Sequence, residues 1–308
     1  MARKVVLVAD PGIDGALAIA LAVHDRELDV LGVAATAGNV EAEQASKNAQ
    51  IVVEQVDPPR WPRLGAALPA EYPMDGKRLH GSKGLGASDL PCAQLHHSHP
   101  SDKLLIDLIR QHPKDITVIT MGPLTVLARA FDRDPELPAL VHRLICVGGS
   151  RYEAGNASAV AEFHFFLDPQ AARQVLRCGA PITLLPLDIS QRLVLSPADL
   201  LELGSRDSRA CRFLRQILPF GIGASSNLYG IEGFHVRDVL GIVALAAPEA
   251  VTTKPVVADV ETRGELTRGM SVFDMRPGIS ATPNVDLGVS VDAAAVRNYA
   301  ARILQQTS

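Results

Sequence analysis

Two carboxylates sit on one turn near the start of the chain. Val5-Val6-Leu7-Val8-Ala9 is a short apolar run, Asp10 ends it, Pro11-Gly12 turns the chain, and Ile13 opens an apolar helical pattern with Asp14 at its mouth. This order puts Asp10 at the C-terminal end of a strand and Asp14 in the first turn of a helix. In open α/β sheets that edge is where ligands bind. Two acids there suit polyol hydroxyls or a metal ion rather than a phosphate. The turn lacks Gly-x-Gly-x-x-Gly, so dinucleotide-dependent redox chemistry has little support. A plainer reading makes Asp14 a helix-capping residue and Pro-Gly only a turn.

Further polar groups recur where apolar runs end. Thr36-Ala37-Gly38-Asn39 follows a second strand-like run, and the Asn39 amide can donate to and accept from a sugar hydroxyl or cap the next helix. His80-Gly81-Ser82-Lys83-Gly84-Leu85-Gly86 is a glycine-rich loop whose glycines permit positive φ. Asn156 and Glu162 pair an amide with a carboxylate within Gly155-Asn156-Ala157-Ser158-Ala159-Val160-Ala161-Glu162-Phe163-His164, a set suited to polyol recognition. Asp238, in His235-Val236-Arg237-Asp238-Val239-Leu240, precedes an apolar helical run, where an acid also favours the helix dipole.

The elements that must carry these residues alternate. Residues 4–9, 29–35, 116–121, 144–147 and 182–187 read as strands, and 13–24, 41–55, 101–111 and 123–131 as helices, with Ser101 as an N-cap. Such βα alternation predicts an α/β fold: a mainly parallel, open sheet covered by helices. Later, 196–203, 209–218, 238–247 and 292–305 read as helices and 256–261 and 270–274 as strands, with no Pro/Gly/Ser linker between the parts. A single domain over 1–308 is therefore expected. Two long polar stretches, 71–99 and 219–237, read as loops, and long loops in compact domains are usually functional or mobile.

With 47% hydrophobic and 21% charged residues in 308, the chain can build a large core. A net charge of -4 argues against a nucleic-acid surface. No apolar run is long enough to span a membrane, and Met1-Ala2-Arg3-Lys4 leads directly into a strand-like run without a signal peptide's cleavage site. The expected location is cytoplasmic. Cys92, Cys146, Cys178 and Cys211 form no CxxC pair, so zinc and dithiol chemistry lack support.

Taken together and in order, these segments resemble the inosine-uridine nucleoside hydrolases. The first resembles the family's DxDPGxDD, with Val8 at the first Asp and Gly15 at the last; 36–39 resembles TxGN; 80–86 resembles HGxDGLG, with Lys83 for the Asp. Residues 155–164 resemble GNxxxxAEFN, with His164 for the final Asn, and 235–240 align with HDPxAVA, with Arg237 where the family often has its His. Val260-Glu261-Thr262-Arg263-Gly264-Glu265-Leu266-Thr267-Arg268-Gly269 is close to VExxGxxTRG.

The resemblance implies hydrolysis of a ribosyl C–N bond with a calcium ion at the site. It makes Asp10 the base and a metal ligand, Asp238 and the Met121 carbonyl further metal ligands, and Asp14, Asn39, Asn156 and Glu162 the ribose contacts. His80, His164 and Arg237 are expected beside the substrate, and His235 is a candidate proton donor to the leaving group in place of the family's His. A small nucleoside is the implied partner, with no nucleic acid and no membrane, in a homo-oligomer. Gly15 removes a ligand oxygen from a cation that takes about six to eight, so calcium should bind weakly, with Arg237 or His164 as side-chain cations in its place. The alternative is a catalytically impaired nucleoside- or ribose-binding protein of the same fold.

Overall fold

The computed structural model describes residues 2–70, 72, 76–87, 89–93, 99–204, 207–278 and 280–307. A nine-stranded sheet runs through it. Its strands are β1 (Arg3–Ala9), β2 (Leu28–Ala35), β3 (Arg63–Gly65), β4 (Ile116–Met121), β5 (Arg143–Val147), β6 (Ile182–Leu185), β9 (Val251–Val260), β10 (Ser271–Asp274) and β11 (Val285–Val291); β7 (Val194–Leu195) and β8 (Phe234–His235) form a separate two-stranded ribbon. The order is β10-β9-β11-β6-β5-β4-β1-β2-β3. From β3 to β11 every neighbouring pair is parallel, while β9 and β10 add antiparallel strands at one edge.

Strand alternation splits the core between the two faces of the sheet. From β1, Val5, Leu7 and Ala9 join the cluster under the first helix, Ile13–His24, while Val6 and Val8 join the cluster under Ser101–Gln111 and Thr125–Arg133. Both faces of the central strands are covered, as an apolar run without alternation requires.

The chain order fixes where a ligand can sit. From β1 it steps outward to β2 and β3, then returns to lay β4 on the other side of β1. Ala9 pairs with Ala35 on one flank and Met121 on the other. The residues that follow, Asp10, Thr36 and Gly122, therefore meet at the reversal of strand order, where α/β sheets open a crevice.

Several expectations change. Residues 219–229 are not a loop: the helix Arg209–Tyr229 runs through Pro219 and ends at Gly230, which takes a left-handed φ of 67°. Pro219 lies on the exposed side, so the missing N–H costs no buried partner, and Gly221 lies where a Cβ would come 2.9 Å from the Phe234 ring. Proline and glycine that signal a break in sequence here serve a helix packed against β8. Ser101 opens its helix but does not cap it; the cap position is Pro100, and the Ser101 hydroxyl donates to the Ala35 carbonyl at 2.7 Å. The strand read at 182–187 stops at Leu185, β9 begins at Val251 rather than 256, and β11 was not foreseen because its sequence, Val-Asp-Leu-Gly-Val-Ser-Val, carries a mid-strand glycine. Much of the 71–99 loop lies outside the described residues; within it, Lys77–His80 forms one helical turn.

Candidate functional site

Asp10 lies at this sheet edge, 1% exposed, and is held from the backbone. Its Oδ2 accepts the Asn39 amide N–H at 2.9 Å, and its carbonyl accepts the Asn39 Nδ2 at 2.9 Å. Asn39 thus braces Asp10 rather than capping the following helix, whose N-cap is Glu41. Two glycines make room. A Cβ at Gly38 would fall 2.0 Å from Asp10 Oδ2, and one at Gly122 would fall 3.1 Å from Oδ1. Oδ1 itself is buried and makes no hydrogen bond. Burial pushes the Asp10 pKa up to about 7, with Asp14 adding to the rise and His164 and the Asn39 amide opposing it.

Asp14 lies in the first turn of the first helix, whose N-cap is Gly12 and has no side-chain cap. Its nearest basic neighbour is His80 Nδ1 at 3.9 Å, but that nitrogen accepts the Ile13 N–H at 3.1 Å. An imidazole nitrogen that accepts carries no proton there. Burial lowers the His80 pKa, with Arg237 and His164 adding to the effect against Asp14, which agrees with a neutral ring.

The opposite wall comes from β5 and the short helix Phe163–Leu167. Glu162 caps that helix: Oε1 accepts the His164 N–H at 3.0 Å, and Oε2 accepts from Phe165 at 3.2 Å and Gly149 at 3.0 Å. Asn156 Oδ1 accepts the Phe163 N–H at 2.7 Å. His164 reaches across the cleft, with Nε2 3.7 Å from Asp10 Oδ1 and Nδ1 3.6 Å from Glu162 Oε1. Burial would depress its pKa, but Glu162 and Asp10 outweigh burial and raise it.

Asp238 stands at the N-cap of Val239–Ala246 without making a cap hydrogen bond. It is 4% exposed, and burial, then Asp14 and Asp10, hold its pKa well above the carboxylate range against the pull of Arg237. The Arg237 Nε is buried without a hydrogen-bond partner. A Cβ at Gly15 would lie 3.0 Å from Asp238 Oδ2, so position 15 faces this acid.

Asp10 lies beneath a cleft that is open to solvent and is not itself among the residues that line it. Asp14, Asn39, His80, Asn156, Glu162, His164, Arg237 and Asp238 line it. Leu79, Phe163, Leu187 and Tyr229 supply an apolar side that the sequence reading missed. The Phe163 signal was available beside Glu162, but Tyr229 was hidden in a segment read as loop. Gly148 and Gly149, with φ of 156° and 78°, follow β5 at the same edge and were also passed over. His235 is not among the lining residues. It pairs with Val194 in the ribbon, and burial, with Arg237, lowers its pKa to about 4.

The profile of the inosine-uridine preferring nucleoside hydrolases matches residues 5–298. The chain belongs to the nucleoside hydrolase family. It is 31% identical to a non-specific ribonucleoside hydrolase, RihC, of Escherichia coli over the full length of both chains. It is 30% identical to uridine nucleosidase 1 of Arabidopsis thaliana, over 96% of this chain and 91% of that one. A purine-preferring ribonucleoside hydrolase from Gardnerella vaginalis shares the fold at a TM-score of 0.91, with 26% identity and 99% of each chain covered. The open, mostly parallel sheet is that of the nucleoside hydrolases.

The motif resemblance implies a calcium ion at this edge. The oxygens on offer are Asp10 Oδ1, the carboxylates of Asp14 and Asp238, and the Met121 carbonyl, which already accepts the Asp10 N–H at 3.4 Å. Glu162 accepts one amide N–H on Oε1 and two on Oε2, which leaves a lone pair on Oε1. Position 15 has no side chain, and a basic ring faces the Asp10 oxygen that is free. Among the described residues no group of three or more His, Cys, Asp or Glu side chains is placed to hold a metal ion. Three carboxylates and one carbonyl are the oxygen donors this site offers a hard cation.

Proposed function

We propose that the chain hydrolyses the N-glycosidic bond of a ribonucleoside, giving free base and ribose. The observation that carries this is the cleft itself, in which buried acids and amides at the sheet's switch point face an apolar wall. Its polar side suits a sugar's hydroxyls and its apolar side suits a flat base.

In this reading Asp10 is the general base. A carboxylate with a pKa near 7 is ionised for about half its molecules at neutral pH and is basic enough to take a proton from water. The water oxygen bonds to the anomeric carbon as the C–N bond breaks, and its proton passes to Asp10. Asp14, Asn39, Asn156 and Glu162 are assigned to the ribose. Glu162 and Asn156 are already locked by amide donors, so they are preorganised. Phe163 and Tyr229 are assigned to the base, and the unpartnered Arg237 Nε to charge that develops on it as it leaves. An arginine stabilises that charge but holds its own proton too tightly to give it up, so the departing base takes its proton from water.

The relatives' names differ in the base they mention, so this reading stays at the level of ribonucleoside. The same reading carries a cytoplasmic homo-oligomer; among the described residues no helix is long and apolar enough to cross a membrane. Release of reducing sugar from a panel of purine, pyrimidine and modified nucleosides tests it. Turnover of at least one is expected. No turnover of any, with retained ribose or nucleoside binding, replaces it with the binding-protein reading, which the glycine at position 15 favours.

A further inference from the structure

Phe163 and His164 enter the cleft from a helix of only five residues, Phe163–Leu167. A helix that short is not stable by itself in water, and its first N–H and last C=O groups lack partners within it. Its start is held by Glu162, which accepts the His164 and Phe165 N–H groups. Its end is held from the far edge of the sheet. The Arg268 guanidinium donates from Nη1 to the Phe166 carbonyl and from Nη2 to the Leu167 carbonyl, the latter at 3.3 Å, and lies 5.0 Å from the centre of the Phe166 ring. A planar fork of donors suits two carbonyls at one helix end. Arg268 belongs to the corner between β9 and β10, the segment that resembles VExxGxxTRG, and this segment contributes no residue to the cleft lining. The corner is braced from within: Glu261 Oε1 accepts the Arg263 and Gly264 N–H groups, and the Gly269 N–H donates to the Glu261 carbonyl at 2.7 Å. Gly269 takes a φ of 80°, and a Cβ there would come 2.6 Å from the Phe166 Cα, so the corner lies directly against the helix backbone. Two residues on, the Ser271 Oγ accepts the Ser150 N–H at 3.2 Å, beside the Gly149 N–H that donates to Glu162 Oε2. One hairpin thus grips both the short helix and the turn that Glu162 ties to it.

We propose that the β9–β10 corner sets the position of this wall of the cleft, with Arg268 as a positioning residue that acts on Glu162 and Phe163 through the end of their helix. The antiparallel strands added at the sheet's edge then serve the site without reaching it. Asp10 is anchored separately, by the Asn39 amide, so loss of Arg268 should loosen one wall and leave the other. That the loosened wall holds a ribose rests on the functional reading above; the contacts of Arg268 do not.

Amide hydrogen exchange, read residue by residue, follows the wall without any turnover. In Arg268→Met the amides of Gly149, His164 and Phe165 should exchange at least about 10-fold faster than in the wild type, as loss of hydrogen bonds from a charged donor predicts. The Asn39 amide on Asp10 should change by less than about twofold, because local opening is confined to the unit that loses its contacts. Arg268→Lys keeps the charge but not the fork, and should fall between the two. With a nucleoside that the wild type turns over, Arg268→Met should raise KM about 10-fold and leave kcat within about threefold, the mark of lost ground-state binding. Unchanged exchange at the three wall amides overturns the proposal. So does equal acceleration at Asn39, which would make Arg268 a support of the whole fold, or a fall in kcat at unchanged KM. If Arg268→Met does not fold, Arg268→Lys carries the same comparison, with about threefold faster exchange expected at the wall amides. A chain that turns over no nucleoside yet shows the expected exchange keeps this inference and loses the functional one.

Discussion

The two walls of the cleft are built by different means. The Asp10 wall is made by backbone: strand ends at Ala9, Ala35 and Met121 in register, an amide N–H on Asp10 Oδ2, and glycines at 38 and 122 where any side chain would collide. The facing wall is made by side chains: His164 on a five-residue helix, and Arg237 and Asp238 at a helix mouth without capping bonds. The first wall keeps the family motif's Asp10 and Asn39 and departs at Val8 and Gly15, while the second keeps Asn156, Glu162 and Asp238 and departs at His164 and Arg237. A wall set by strand register admits no side chain at 38 or 122 without moving backbone or Asp10. A wall set by side chains can exchange one polar group for another and keep its shape.

Asp10→Asn is the strongest way to break that contrast. The amide keeps the shape and the Asn39 brace but takes no proton, so kcat/KM should fall by about 10³ or more, within the span of general-base contributions. Steady-state sugar release measures it, and a loss under about tenfold would move the base to the other wall.

The pH dependence separates the walls next. Asp10 titrates at about 7 when folded and near 3.8 unfolded. A raised pKa favours the protonated native state, so this contribution is complete below about pH 4 and is lost as pH rises to about 7. The bound on it is on the order of 4 kcal/mol. His164 and Asp238, also raised, act with the same sign. Urea unfolding between pH 4 and 8 should show stability falling with pH, less steeply in Asp10→Asn. A variant with the wild-type slope would mean that Asp10 is ionised throughout.

Gly38→Ala tests the backbone wall alone. Its methyl would meet Asp10 Oδ2 at 2.0 Å, and displacing the carboxylate should cost about 2 kcal/mol. Gly223→Ala is the control: nothing lies within 4 Å of its Cβ position, on an exposed helical site, and it should stabilise by up to about 1 kcal/mol. Equal melting temperatures for the two variants would remove the claim that glycine at 38 is demanded by the acid.

The same division explains what was legible in the sequence. Apolar runs ending in Asp10, Asn39 and Met121 disclosed the sheet edge, because strand period and turn residues are local signals. The cleft's apolar side was not legible at Tyr229, because Pro219, Gly221 and Gly223 look like loop residues until the ring of Phe234 explains the glycine at 221. Nor could spacing show that both Glu162 oxygens accept amide N–H groups, or that His164 turns toward Asp10 rather than away. Those are contacts between segments far apart in the chain, and only the packed fold decides them.

His235 is the smallest expected effect and the sharpest check on the side-chain wall. Its place two residues before Arg237 made it a candidate donor of a proton to the leaving base. A general acid must reach the substrate and hold a proton near the working pH. His235 lies in the β7–β8 ribbon, outside the cleft lining, and burial and the Arg237 charge keep its pKa at about 4, so it is neutral at pH 7. His235→Asn should therefore change kcat/KM by no more than about twofold, under about 0.5 kcal/mol, with the acid limb of the pH profile unmoved. A loss of tenfold or more, confined to substrates with poor leaving groups, would show that the ribbon swings His235 into the cleft during turnover, and would make the side-chain wall the mobile half of the site.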